Sequence, residues 1–416
     1  MRFGRKLGNV FPVIAMMMAF AGPGQAARYH VPSQALHDAR LAVRLEPSLG
    51  DLVLAAMAGM PVECGRSAKC YPGLLDPGVA RIRTMSARTL QLDRSHLGSA
   101  SAMPGGKPAS QSEVPWAVQI YSINPYDLKE LIADARKPQG QSKYLWDKSY
   151  ANRQLACGGS VIADHIVLTA AHCIASEPFF GEKANGAFVA RRVRVGTRLL
   201  GKGGTTFAID GIAVPDGYIA GNKRFDIAIL HLAADAETDR RVSLPSPAAM
   251  IDANADVPAE TAVRIYGWGT TGVQDDKTAA LDVHGHVART SDYLLVGAET
   301  IVSTAACKAV DQGLAAGMIC TRPANPALHT ASCYGDSGGP LVINDGRTDV
   351  VIGVVKGSIQ GCGMPGIPDE FTAVASYREW IAKAIGALKS APVPAAPADR
   401  HILRLPFDSP GPAPTR

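Results

Sequence analysis

The sequence predicts a mainly β protein, a sandwich or barrel with one helix near its C-terminus. Two patterns carry that expectation. From Val114 onward, short β-branched runs recur between Gly, Pro, Asn and Asp: "VPWAVQIYS", "GSVIADHIVLTAAHC", "RVRVGTRLL", "FDIAILHL", "AVRIYGWGT", "YLLVGAETIV", "PLVIN" and "DVVIGVVKG". Strands so short and so punctuated belong to all-β sandwiches and barrels. Near the end the period changes. In "SYREWIAKAIGALKS", Tyr377, Trp380, Ile381, Ile385 and Leu388 fall at helical spacing, which predicts one amphipathic helix with Ser376 as its N-cap. The chain has 416 residues, 47% hydrophobic and 19% charged, so a sizeable core is available.

Before these strands lie two other segments. "MRFGRKLGNVFPVIAMMMAFAGPGQA" carries Arg2, Arg5 and Lys6, an apolar run from Val10 to Phe20, then the small residues Gly24 and Ala26. That is the pattern of a cleaved export signal over residues 1–26; an uncleaved anchor is the alternative, although the run is short for a bilayer. No other segment is apolar enough to cross a membrane. A secreted or periplasmic protein without a stable membrane anchor follows. Export to an oxidising compartment makes the eight cysteines candidates for four disulfides. Residues 27–102 form a separate stretch containing "CGRSAKC", Cys64 to Cys70, a loop able to close on itself; half a metal clip is the alternative. This stretch ends in "HLGSASAMPGGKPASQSE", a flexible, cleavable linker by composition. Beyond the helix, residues 390–416 read as a Pro/Ala-rich tail, extended or disordered. The formal charge of +5 is scattered, with no basic run interleaved with aromatics, which argues against nucleic acid as a partner.

The chemistry centres on "TASCYGDSGGPLVIN", residues 330 to 344. A serine hydroxyl is a poor nucleophile until a base takes its proton and donors hold the resulting oxyanion. Gly338 and Gly339 after Ser337 allow a tight turn with close backbone approach. Among ten histidines, His172 in "LTAAHC" stands where a β-branched run breaks into small residues beside a cysteine, which makes it the candidate base. His284 and His286 sit two apart and are half a metal site without a third ligand nearby. Asp226 opens the apolar run "FDIAILHL", an expensive place for a carboxylate unless it serves a partner. Accepting a hydrogen bond from the imidazole would fix the tautomer of His172 and stabilise imidazolium. A turn residue at a strand edge is the plainer alternative.

"LTAAHC", "FDIAIL" and "CYGDSGGP", in that order, closely resemble the trypsin/chymotrypsin family of serine endopeptidases, and "CGGSVIADHIVLTAAHC", "YGWGTT" and "GMICT" resemble its flanking segments. The resemblance covers roughly residues 103–389. It implies two six-stranded antiparallel β-barrels with the active site in the cleft between them, a C-terminal helix, and a pro-segment over 27–102. It implies His172, Asp226 and Ser337 as catalytic residues and the N–H groups of Gly335 and Ser337 as the oxyanion hole. Protein or peptide is the implied substrate, with no cofactor and no metal. It pairs Cys157 with Cys173, Cys307 with Cys320 and Cys333 with Cys362, leaving Cys64 for Cys70. It also implies that cleavage before Met103, by an unidentified activating protease, frees an amine that pairs with Asp336.

Five departures from the family pattern are visible. "MPGG" replaces the usual "IVGG" and follows Ala102, so the activation site is unlike one that trypsin would cut; a plain loop is the alternative. Ala331 stands where trypsin-like enzymes carry the pocket aspartate, with Ser332 next to it in the chain as a further pocket residue, while Asp369 enters from the opposite wall. It either reads a basic side chain or turns away and leaves a small apolar pocket. In "GVVKGSIQGC", Lys356 replaces a serine and Gly357 a tryptophan, ahead of Ser358, which alters the strand that pairs with substrate. An insertion of about 30 residues, Asn124 to Gln154, adjoins the primed side, and "RVGTRLLGKGGTTF" lacks the carboxylates that calcium needs. The expected function is a secreted serine endopeptidase made as a zymogen. The alternative is a non-catalytic, protease-like secreted binding protein.

Overall fold

The computed structural model describes residues 103–110, 113–123, 151, 154–175, 186–236, 244–253, 255–272, 274–275, 290–344 and 349–407. The export signal, the Cys64–Cys70 loop, His284, His286 and most of the 124–154 insertion lie outside the described residues. The chain divides into two compact units, Met1–Ser99 with Leu128–Tyr150, and Ala100–Asp127 with Ala151–Arg416; every described residue belongs to the second.

After a short strand β1 (Lys107–Pro108), the first barrel runs through β2 (Ala117–Ser122), β3 (Leu155–Ala163), β4 (Ile166–Thr169), β5 (Arg191–Val195), β6 (Thr205–Pro215) and β7 (Ala228–Ala236). Its strand order is β6-β5-β2-β3-β4-β7, and pairing of β6 with β7 closes it. A linking strand β8 (Ala249–Met250) leads to the second barrel: β9 (Ala262–Gly267), β11 (Leu295–Val302), β12 (Met318–Pro323), β13 (Pro340–Asn344), β14 (Asp349–Ser358) and β16 (Asp369–Ala373), with a small ribbon of β10 (Gln274–Asp275) and β15 (Gly361–Cys362) at its side. The order β11-β12-β16-β14-β13-β9 is closed by β11 on β9. Both six-stranded antiparallel barrels implied by the resemblance are therefore present.

Alternation explains why these runs curl into barrels. In β5, Arg191, Val193 and Val195 point inward and Arg192 and Arg194 outward; closure then removes the unpaired edges that short strands would otherwise expose. Val118, Ile120, Val161, Val167, Val193, Ile209 and Ile229 fill the first barrel's core. Met103, Val263, Ile265, Leu295, Leu341, Ile352 and Phe371 share the second.

The C-terminal helix spans Val374–Ser390 and buries Val374, Tyr377, Trp380, Ile381, Ala384 and Leu388. Its start differs from the expected one. Ala373 is the N-cap, without a side-chain hydrogen bond, and Ser376 lies in the first turn. The chain passes straight from β16 into the helix, and burial of Val374 sets the start in place of a capping side chain.

The tail also differs from a free extended or disordered segment. Residues 403–405 form a strand, β17 (Leu403–Leu405), parallel to Ala213–Pro215 of β6. β6 is longer than its partner β5, which leaves that end open for pairing. Leu405 accepts from the Trp380 indole at 3.3 Å and from the Asp216 N–H at 2.9 Å. Phe407 packs its ring 4.7 Å from Tyr377 and 5.2 Å from Phe225. Period-two alternation over three residues between prolines is too short a signal to separate from coil.

Candidate active site

Ala170 and Ala171, both buried, lead from β4 into the short helix His172–Ala175. Cys173 is bonded to Cys157 of β3, which ties that helix to the barrel wall. Cys157, His172 and Cys173 lie within metal-chelating distance of one another, but both sulfurs are engaged in the disulfide and supply no thiolate. Asp226 precedes β7 and is 2% exposed. Its Oδ2 lies 2.8 Å from His172 Nδ1, and its Oδ1 accepts the His172 backbone N–H at 2.9 Å. Burial works to raise the Asp226 pKa; the His172 imidazole and its hydrogen bonds, with Lys356 at longer range, outweigh it and hold the carboxyl below its ordinary value.

Several groups fix this aspartate that the sequence reading did not select. Its carbonyl accepts from Thr372 Oγ1 of β16 at 3.0 Å, a tie from the second barrel. Phe225, just before it, has φ +62°, a strained conformation for an aromatic residue. The Phe225 N–H donates to the Tyr377 hydroxyl at 3.3 Å, and burial pushes that phenol up to about 12. Tyr377 was visible only as an apolar helix position, and Phe407 only as a tail residue.

Ser337 lies on the turn 334–338 and is half-buried. Its carbonyl accepts from Gly158 N–H at 2.8 Å and lies 3.7 Å from Cys173 Sγ, beside His172. Gly338 has φ +78°, and a Cβ there would fall 2.1 Å from Thr169 Oγ1, so only glycine fits. Gly335 has φ +99°. Among the described residues, neither the Gly335 nor the Ser337 N–H donates to another group.

Asp336 is fully buried and accepts from the Gly269 N–H at 2.7 Å and the Cys333 N–H at 2.9 Å. Burial pushes its pKa up to about 7, against the pull of those two donors. Met103 is 0% exposed, held among Ile265, Leu295 and Phe371, and its backbone has φ +54°.

The expected pocket residues converge. Ser332 N–H donates to Asp369, Ser358 is the cross-strand partner of Asp369, and Gly357 that of Glu370. Ala331 is buried beside them, and the Cys333–Cys362 disulfide staples the segment to the β14–β16 side. Cys307 is bonded to Cys320. Lys356 is half-buried. Glu299 of β11, missed by the sequence reading, is buried and accepts from the hydroxyl of Thr321, the cross-strand partner of Asp369. The signal was available: like Asp226, it is an acid inside an apolar run, "YLLVGAETIV". In the loop "RVGTRLLGKGGTTF", Thr197 and Arg194 bond to the carbonyls of Lys202 and Gly203 at 2.8 and 2.6 Å.

Residues 132–381 match the family model described as Trypsin. The chain is 26% identical over 281 residues to the clotting factor G beta subunit of Tachypleus tridentatus, covering 67% of this chain and 77% of that protein. It is 27% identical over 231 residues to trypsin delta of Drosophila erecta, covering 55% and 78%. With hypodermin-A of Hypoderma lineatum the identity is 30% over 234 residues, covering 54% and 76%.

Proposed function

Because this chain belongs to the trypsin family of serine proteases, we propose that it is a secreted serine endopeptidase made as a zymogen. His172 takes the Ser337 proton as Ser337 Oγ attacks the scissile carbonyl, and returns it to the leaving amine. Asp226 holds the ring with its proton on Nδ1. The Gly335 and Ser337 N–H groups receive the oxyanion, and water then releases the acyl-enzyme. The observation that carries this reading is the 2.8 Å bond between His172 Nδ1 and a buried carboxylate whose pKa is held low. An imidazole so tied presents Nε2 as acceptor. The open N–H groups at Gly335 and Ser337 support the same assignment.

Activation follows from Asp336. Among the described residues no cation pairs with this fully buried carboxyl. Cleavage before Met103, whose side chain is already buried in the second barrel, would free an α-amino group to pair with it and order the neighbouring oxyanion hole. Export is supported by the N-terminal sequence pattern and by disulfides Cys157–Cys173, Cys307–Cys320 and Cys333–Cys362.

A fluorophosphonate probe applied to the matured protein tests the function. Covalent labelling that disappears in Ser337→Ala, with a loss in kcat of about 10⁶ that His172→Ala in the same chain hardly deepens, is the expected result. Absence of labelling in the matured wild type would point to a non-catalytic binding protein.

A further inference from the structure

Residues 216–225 lead from the end of β6 to Asp226, and residues from the far end of the chain fasten them. The Asp216 N–H donates to the Leu405 carbonyl at 2.9 Å, and the Arg404 guanidinium donates to the Tyr218 carbonyl at 3.1 Å. At the other end of the stretch, the Phe225 ring lies 5.2 Å from that of Phe407. Between these ends the stretch is largely exposed, Ile219 at 66%, and Lys223 ties it to Asp311 and Glu370. The fastening segment is itself held. Arg400 donates to the Ile209 carbonyl at 3.0 Å, and the Leu405 carbonyl also accepts from the Trp380 indole. Leu403, Leu405 and Phe407 pack against the core shared by the first barrel and the C-terminal helix.

Phe225 needs such a hold. Its φ of +62° is a conformation that a residue with a bulky side chain keeps only where its surroundings enforce it. Three contacts do so. The Phe225 N–H donates to the Tyr377 hydroxyl at 3.3 Å. Gly217 gives the ring room, since a Cβ there would fall 2.8 Å from Phe225 Cε2. Phe407 packs on the Phe225 and Tyr377 rings together. One peptide bond later, Asp226 accepts the His172 N–H at 2.9 Å and lies 2.8 Å from Nδ1. Relaxation of Phe225 to a negative φ would turn the link to Asp226 and shift its carboxyl away from both donors.

Resting on the endopeptidase reading, we propose that residues 400–407 are a strap that fastens the stretch 216–225, and that Phe407 is a positioning residue for the reaction. Phe407 acts through Phe225 and Tyr377 and does not meet substrate. By keeping Phe225 at its positive φ, it keeps Asp226 in register with His172. Turnover then depends on a segment that folds back after the C-terminal helix. The match to the family model ends at residue 381, ahead of the strap.

The test uses the matured full-length protein, titrated for active sites, well below its melting temperature. Phe407→Ala should lower kcat about three- to tenfold with KM within about twofold, because a small displacement of the base costs turnover more than binding. The low-field Nδ1–H resonance of His172, which reports its bond to Asp226, should weaken or shift. Phe407→Leu restores apolar volume against Phe225 and Tyr377 and should recover most of the lost kcat. Leu388→Ala, a truncation at a 5% exposed position of the C-terminal helix, should lower melting at least as much as Phe407→Ala and leave kcat and the resonance at wild-type values. Gly217→Ala presses on the Phe225 ring without touching the strap and should reproduce the kcat loss, which keeps the test decisive if Phe407→Ala fails to fold. Wild-type kcat and resonance in Phe407→Ala, or in Gly217→Ala where the first variant does not fold, overturn the proposal. So does an equal kcat loss in Leu388→Ala, which would make the effect one of general loosening. A wild type that neither hydrolyses ester nor takes the fluorophosphonate label refutes the endopeptidase reading instead, and the resonance then still reports whether Phe407 positions the His172–Asp226 pair.

Discussion

Replacement of Asp226 by asparagine preserves shape and removes charge, and the local geometry sets the consequence. The carboxylate accepts two hydrogen bonds from one residue, the His172 N–H at 2.9 Å and Nδ1 at 2.8 Å. An amide offers one accepting oxygen and one donating nitrogen. If its oxygen keeps the backbone N–H, its NH₂ faces Nδ1, which must then accept. The ring proton moves to Nε2, and His172 loses the lone pair proposed to take the Ser337 proton. If the amide flips, two donors face each other in a site that is 2% exposed, which costs about 1–3 kcal/mol. The inactive tautomer is thus favoured by about 5- to 150-fold on that term alone. Lost stabilisation of the imidazolium adds to it, and the total expected is a fall of about 10⁴ in kcat, or about 5.4 kcal/mol. Ester hydrolysis by active-site-titrated protein should show this with KM little changed. The low-field Nδ1–H resonance of the wild type should vanish, while thermal stability holds because a buried charge has been removed. A variant within tenfold of wild-type kcat would refute the role assigned to Asp226.

The other expectations concern activation and the tail. N-terminal sequencing of the active form should begin at Met103; an active species starting upstream contradicts the Asp336 pairing. In the unprocessed chain the Asp336 pKa, about 7 when folded, lies above its unfolded value near 4. Between those values the folded state holds a proton that the unfolded state has lost, so this group makes stability fall as pH rises from 4 to 7. Pairing with the new amine should flatten that slope, and urea unfolding at pH 5 and pH 7, before and after processing, measures it. Phe407→Ala removes a half-buried ring from Phe225 and Tyr377 and should cost about 1.5–2.5 kcal/mol of stability. Because Phe225 adjoins Asp226, kcat should also fall severalfold with KM nearly constant; unchanged melting and kcat would show that the tail is passive.

Much of the fold and the site was legible before any coordinates. Period-two runs such as "RVRV" and "FDIAIL" specify which face of each strand is buried, and that information is local. The triad candidates were legible because each breaks its local rule: Asp226 and Ser337 place polar groups where packing alone would not. The same rule flags Glu299, but a single acid in a strand does not say which residue it meets. Strand β11 reaches β16 across β12, so Glu299 and Asp369, 70 positions apart, are linked only through Thr321, which pairs with Asp369 and donates to Glu299.

The sequence by itself determined an all-β chain with a C-terminal helix, the identity of the candidate nucleophile, base and orienting acid, and the departure of Ala331 and Met103 from the family pattern. These rest on periodicity, on turn chemistry and on residue types in order, all of which act within a few positions. Only the tertiary structure decided that the helix starts at Val374 and not at Ser376, since burial against the barrels outweighs a capping hydrogen bond. It alone decided that the tail returns as β17 to an open stretch of β6 and sets Phe407 against the residue before Asp226. It alone decided that the buried Asp369 accepts the Ser332 N–H and the buried Glu299 the Thr321 hydroxyl, because folding of the second barrel brings distant strands together and leaves their few buried polar groups to find partners where they land.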